Sequence, residues 1–286
     1  MKGTAYLLQA ALLSLWWIGL YMNQEFFNAF QFPNIEKTAF LSFFIPDIVV
    51  IAILSIIRAY NSKKELEYVI LGGFVFATLY CVNASFLTKG GYLATTTMIL
   101  GLCYNLFLVF ENKVFKESAS NNVFVNGFKT IVQIICVWAI TLVVFPWIIM
   151  KSFGSLPTIV HDNKIVGLIL LSIFSVIGLY SALIMVKKGK GTPLPIDQTK
   201  NLVINGPYRY VRNPMAIAGL GQGIAVSILF GSVYVLVYTV LGGILWQFVV
   251  RPIEEKNMKL RFGQEYEDYR RKVKCWIPKF SQKQNH

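Results

Sequence analysis

The sequence predicts an all-α, polytopic transmembrane helical bundle of about eight spans, followed by a cytoplasmic amphipathic helical tail. Three observations carry that prediction. Hydrophobic residues fill 55% of the 286 positions against 14% charged, and mean hydropathy is +0.55, far from the balance of a soluble domain. Apolar runs near the roughly 20 residues that a helix needs to cross a bilayer recur along the chain. The basic residues fall in alternate connections, as the positive-inside rule requires of a chain that crosses repeatedly.

Taken in order, the runs lie near residues 4–22, 39–57, 68–87, 92–110, 130–150, 165–186, 214–230 and 233–250. The first, Thr4 to Met22, is longer than a signal h-region and lacks a small-x-small cleavage site, so it reads as a span. The last two form a tight hairpin around Gly231-Ser232. With the N-terminus placed in the cytoplasm, every one of the 27 Lys and Arg residues except Lys37, Lys89, Lys151 and Lys164 falls on an inner segment. Both termini are therefore expected to be cytoplasmic. The same partition explains the net charge of +13 as membrane topology, not as a nucleic-acid surface. Cys81, Cys103, Cys136 and Cys275 show no CxxC or CxxH spacing, and the first three sit in apolar runs. Neither a disulfide framework nor a metal site is expected.

Within the spans, Asp47 stands beside Pro46. An intramembrane carboxylate is a functional candidate by default, the alternative being burial against Asn, Gln or backbone partners at a proline kink. Gly219-Leu-Gly-Gln-Gly223 lies inside an apolar helix without the preceding strand of a dinucleotide turn, and reads as a GxxxG packing motif. Asn83, Asn105 and Gln133 are expected to form interhelical hydrogen bonds, and His161 receives no role.

The longest inner connection runs from Lys187 to Asn213. Its first part, Lys187-Lys-Gly-Lys-Gly-Thr-Pro-Leu-Pro195, cannot stay helical. It ends in Asn205-Gly-Pro-Tyr-Arg-Tyr-Val-Arg-Asn-Pro214, and one hydrophobic hairpin later comes Arg251-Pro-Ile-Glu-Glu-Lys256. The two clusters are expected to meet at one membrane face. Pro252 stands where a tail helix could begin. Glu254 and Glu255 then either complement that helix's dipole or face Arg209 and Arg212 and grip a zwitterionic ligand by both ends. After Gly263 a second helical piece, Gln264 to Val273, carries Tyr266, Tyr269 and Val273 at i, i+3, i+7 spacing, an apolar stripe expected to face inward.

From Leu202 to Pro278 the chain resembles the catalytic end of the isoprenylcysteine carboxyl methyltransferase and phospholipid methyltransferase families of integral membrane enzymes. The resemblance rests on the 205–214 motif, the Glu254-Glu255 pair, Leu260-Arg-Phe-Gly-Gln-Glu-Tyr-Glu-Asp-Tyr-Arg-Arg-Lys-Val273, and Ile277-Pro278, in that order. It implies methyl transfer from S-adenosylmethionine to a lipophilic or membrane-delivered acceptor: a prenylcysteine-like carboxylate, a lipid amine, a thiol or an isoprenoid. It also implies a division into N-terminal helices, 1–190, and a cofactor-binding part, 191–286. By the same resemblance Tyr208, Arg209, Tyr210, Arg212, Pro214, Glu254, Glu255 and Tyr266 would bind the cofactor, with 263–269 closing over it, and Arg212 and Asn213 are the catalytic candidates. The sequence departs from the family's Arg-His-Pro-x-Tyr, for Asn213 replaces the histidine and Ala216 the tyrosine. Asn213 still donates and accepts hydrogen bonds; Ala216 can only pack. The rival readings are a sterol-type membrane reductase using NADPH, and a transporter or channel using Asp47.

Overall fold

All eight apolar runs are helical in the computed structural model, which describes residues 2–153 and 163–278, the side chain of Asn112 excepted. His161 lies outside them. The helices are α1 (Lys2–Met22), α2 (Gln24–Phe30), α3 (Lys37–Tyr60), α4 (Lys64–Thr88), α5 (Tyr92–Val109), α6 (Val123–Phe153), α7 (Lys164–Gly189), α8 (Pro214–Leu229) and α9 (Val233–Lys272). No strand forms among the described residues. Seven helices are long and apolar enough to cross a membrane. The eighth expected span, α8, has only 16 residues, about 24 Å of helix against a hydrocarbon layer of about 30 Å. Pro214 fixes its start, and the Gly231 turn (φ 61°) follows closely on its end.

Wide π-type turns interrupt three helices, at Asp47–Ile53, Ala139–Val144 and Trp246–Val250, and end α7 at Met185–Gly189. The turn at Trp246–Val250 has a clear cause. Pro252 has no N–H to donate, and the chain loosens ahead of it so that Arg251 N–H bonds back to Trp246 O. The helix therefore runs through Pro252 without a break, where the sequence suggested a new start. Glu254 and Glu255 consequently lie in a helix interior and not in a first turn, so the dipole explanation of the pair lapses. The apolar part of α9 ends at Val250; beyond it the helix is charged, and it breaks at Gly263 (φ 52°, ψ −124°), as expected.

The described residues fall into two compact units. The first centres on the chain up to Glu111. Its core buries Tyr6, Phe27, Ile51, Ile70 and Leu108, and a polar thread joins three helices: Asn105 donates to Gln9 (2.8 Å), and Gln9 donates to Ser55 (2.8 Å). Asn105 thus makes the interhelical bond expected of it, whereas Asn83 is exposed. Buried Arg58 pairs with Glu67, and Lys2 reaches Glu67 (3.4 Å) and Glu111 (3.9 Å). These pairs gather the start of α1, the α3–α4 turn and the end of α5 at one end of the unit, the alternation that the charge pattern requires.

The second unit holds most of the chain from Asn112 on. Helices α7 and α8 pack most closely within it, because glycines remove the side chains between neighbours. A Cβ at Gly221 would stand 2.3 Å from the Phe174 ring, and one at Gly223 would stand 2.6 Å from Thr239. Gly219 meets nothing within 4 Å, so close approach in the GxxxG stretch is made by Gly221 and Gly223. Large apolar side chains such as Ile131, Ile135, Val143, Ile165, Leu168 and Val176 stay exposed, a surface suited to lipid.

Candidate functional site

The connection after α7 is stapled by hydrogen bonds on both sides. Lys190, in the left-handed region (φ 56°), ends the helix. Lys116 N–H donates to Pro195 O and Ser118 N–H to Gln198 O, both 3.0 Å. From α9, Arg261 donates to Gln198 Oε1 (3.0 Å) and to the Thr199 carbonyl, and pairs with Glu117 (3.2 Å). One side chain of the tail thereby fixes two segments of the loop face.

The Gly206–Arg209 turn then buries Tyr208. Past Gly263 the tail doubles back over this turn. Tyr269 Oη donates to Tyr208 O (2.6 Å), Arg212 N–H to Lys274 O (3.0 Å), and Asn213 Nδ2 to Cys275 Sγ (3.7 Å). Trp276 closes edge-on against Trp246 at 5.0 Å between centroids. Tyr266 and Val273 are buried, so the predicted apolar stripe faces inward. The Gly263 conformation makes this return possible, since ψ −124° at φ 52° lies in territory that side chains forbid.

The fold brings the two charged clusters together around Glu255. Its carboxylate accepts from Arg251 Nε (2.8 Å) and forms ion pairs with Arg212 Nη2 (3.2 Å) and Arg270 Nη2 (3.4 Å). The Arg212 side chain is 8% exposed. Its Nε and Nη1 are buried and have no hydrogen-bond partner, and the Tyr208 hydroxyl is in the same condition. Such donors are costly to leave unmade. Glu254, one residue before the hub, has no hydrogen bond or ion pair among the described residues. Burial pushes its carboxyl up to about 7, and the neighbouring Glu255 charge adds to the shift.

Of the sequence-derived candidates, Arg212, Glu254, Glu255, Tyr208 and Tyr266 converge in this way. Arg209 and Tyr210 are exposed, and Arg209 pairs with neither glutamate. Pro214 is buried as the first residue of α8, and Asn213 is turned toward Cys275. Sequence reasoning did not single out Arg251 and Arg270 as partners of Glu255. The i, i+4 spacing of Arg251 to Glu255 carried a signal for the first; Arg270 reaches Glu255 only because the chain turns back at Gly263.

A cleft of about 150 Å³ lies between α6, α7 and α8, and Met215, three residues after Arg212, is part of its wall. Its wall includes Gln133, Trp138, Gly178, Leu194, Met215 and Gly219. It is apolar with few polar groups, among them Gln133 Oε1, which is buried without a partner; Gln222 of the same wall donates to Ser175 (3.0 Å).

In comparison with known proteins, residues 163–265 match the phospholipid methyltransferase family. The matched stretch contains α7, α8, the 205–214 turn and the glutamate pair. No curated protein and no solved structure matches the chain.

Proposed function

We propose that this membrane protein, whose residues 163–265 match the phospholipid methyltransferase family, is a methyltransferase that takes its methyl group from S-adenosylmethionine and gives it to a lipophilic acceptor. The observation that carries the reading is the pair of buried, unpartnered nitrogens on Arg212, whose Nη2 meets Glu255, with the next residue in the chain before Glu255, Glu254, a buried carboxylate that has no cation among the described residues. Together they offer what a zwitterionic amino-acid tail needs. Arg212 Nε and Nη1 would hold the cofactor's carboxylate, and Glu254 its ammonium. Glu255, already shared by three arginines, acts on Arg212 as a positioning residue. Tyr266 and Tyr208 contribute ring faces of the kind that attract a sulfonium.

When bound, the cofactor supplies an electrophilic methyl group whose transfer to an anionic nucleophile cancels charge. The chain's own residues therefore act mainly by alignment and exclusion of water. The turned-back tail, held by Tyr269 on Tyr208 and by Lys274 on Arg212, covers the site. The cleft whose wall includes Met215, three residues after Arg212, would take the apolar part of the acceptor. The site would face the cytoplasm, with both termini on that side, because the basic residues concentrate there.

The test is binding by purified protein in detergent. S-adenosylmethionine is expected to bind saturably and to raise the melting temperature, and Arg212→Ala is expected to abolish binding. Absence of S-adenosylmethionine binding, or binding of NADPH in its place, would refute the proposal.

A further inference from the structure

The first unit contains a second cavity, remote in sequence from the matched stretch and unused by the reading above. It is small, about 40 Å³, and its wall is unusually aromatic: Trp16, Trp17, Phe32, Phe40, Phe43 and Tyr80 all line it. The rings brace one another. Trp16 and Trp17 meet edge to face at 5.2 Å, Trp17 and Phe40 lie 6.2 Å apart, and Phe43 and Tyr80 lie 4.5 Å apart. The cavity sits under the α2–α3 connection, which contributes Phe32 and Ile35.

Asp47 is the one carboxylate in this wall. It is 6% exposed. The sole hydrogen bond of its carboxylate among the described residues is from a neutral donor, Trp17 Nε1 at 3.0 Å, and no basic side chain pairs with it. Arg58, a buried cation of the same unit, lies at the Lys2 end of α1 and is committed to Glu67. The expectation that Asp47 rests against Asn, Gln or backbone groups is thus replaced by an indole and a ring of aromatics. Asp47 also opens a π-type turn directly after Pro46; such a turn re-aims the side chain, and turns of this kind recur at functional sites.

A carboxylate in low dielectric without a counter-ion is expensive, and aromatic faces attract cations but do nothing for anions. Both deficits are removed by one kind of ligand. We propose that this cavity binds a small alkylammonium group, with the Asp47 carboxylate as its counter-ion and the faces of Trp16, Trp17, Phe40 and Tyr80 around its methyl or methylene substituents. The volume admits a head group and not a long organic cation. The group can be a free amine or the head of an amine-bearing lipid.

Trp16 and Trp17 provide a built-in reporter. The full-length protein in detergent is titrated with methylammonium and tetramethylammonium chloride, against NaCl and tert-butanol as charge-only and shape-only controls. A saturable change in tryptophan emission with an alkylammonium, absent with both controls and lost in Asp47→Asn, is expected. Phe40→Leu, which keeps the carboxylate and opens the cage, is expected to weaken the response roughly two- to thirty-fold. Reconstitution in phosphatidylethanolamine-containing and in pure phosphatidylglycerol vesicles separates the sources. An emission difference between the two that Asp47→Asn removes assigns the group to lipid, and saturation by free amine alone assigns it to a solute. No saturable response to either source, or a response that survives Asp47→Asn or is matched by NaCl, overturns the proposal. If Asp47→Asn does not fold, unaltered affinity in Phe40→Leu overturns it equally.

Discussion

Arg212→Lys separates folding from cofactor binding at one position. Lysine keeps a positive charge to oppose Glu255, which Arg212 Nη2 now meets at 3.2 Å, but it cannot reproduce the guanidinium donors Nε and Nη1. In the ligand-free protein those two nitrogens are buried and unpartnered, so their removal costs the fold little. In the complex they would make two charge-assisted hydrogen bonds of about 1.5–3 kcal/mol each. With the ammonium recovering part of that, the net loss is about 2–3 kcal/mol, a roughly 30- to 150-fold weaker Kd. Isothermal titration with S-adenosylmethionine, beside thermal unfolding of the ligand-free variant, measures both terms. Arg209→Lys, at an exposed position, serves as control and should bind normally. An Arg212→Lys affinity within three-fold of the parent, or a loss shared by Arg209→Lys, would refute the assignment of these donors.

Other expectations come from the same geometry. Glu255→Ala strands Arg212 in a buried position and should destabilise the protein by about 3–5 kcal/mol, the range for breaking a buried pair from one side, with the more exposed Arg270 adding little; unfolding of the variant in detergent is the check. Glu254 titrates near 7 against an ordinary 4.5. Its folded pKa is raised, so its contribution to ligand-free stability is full below about pH 4.5 and is lost as pH rises through about 7. An incoming ammonium favours the charged carboxylate, so S-adenosylmethionine affinity should rise over the same upper interval, and Glu254→Gln should flatten both profiles. Gly263→Ala places a side chain at φ 52°, ψ −124°, at a cost of about 1–3 kcal/mol, and should free the tail to limited proteolysis while weakening cofactor binding. Gly219→Leu projects into the cleft from a position where a Cβ meets nothing within 4 Å. It should lower methyl incorporation into a total lipid extract while leaving the Kd for S-adenosylmethionine unchanged.

The helical class, the positions of the apolar runs, the Gly263 break and the inward tyrosine stripe of the tail were all legible in the sequence. Each follows from local composition or from a short period, and local rules govern such features. Two local inferences failed for an identifiable reason. Pro252 reads as a helix start, yet a wide turn at Trp246–Val250 absorbs its missing donor, and proline alone does not reveal whether the chain before it can loosen. The run 214–230 reads as a full span, yet Pro214 and Gly231 confine α8 to 16 residues.

The sequence by itself determined that this protein is a polytopic helical membrane protein, because the absence of water in the hydrocarbon leaves long apolar segments no other way to satisfy their backbones. It also marked the 205–214 turn and the Glu254-Glu255 pair as belonging to one region. Only the tertiary structure decided which charges meet there. Arg209 and Arg212 stand three residues apart in one motif, but Arg209 ends the 206–209 turn exposed, whereas the chain beyond that turn buries Arg212 where the tail bonds to it. Burial and partner geometry set the energy of a charge, and both depend on segments brought together from Gly206 to Cys275, far beyond the reach of any local pattern.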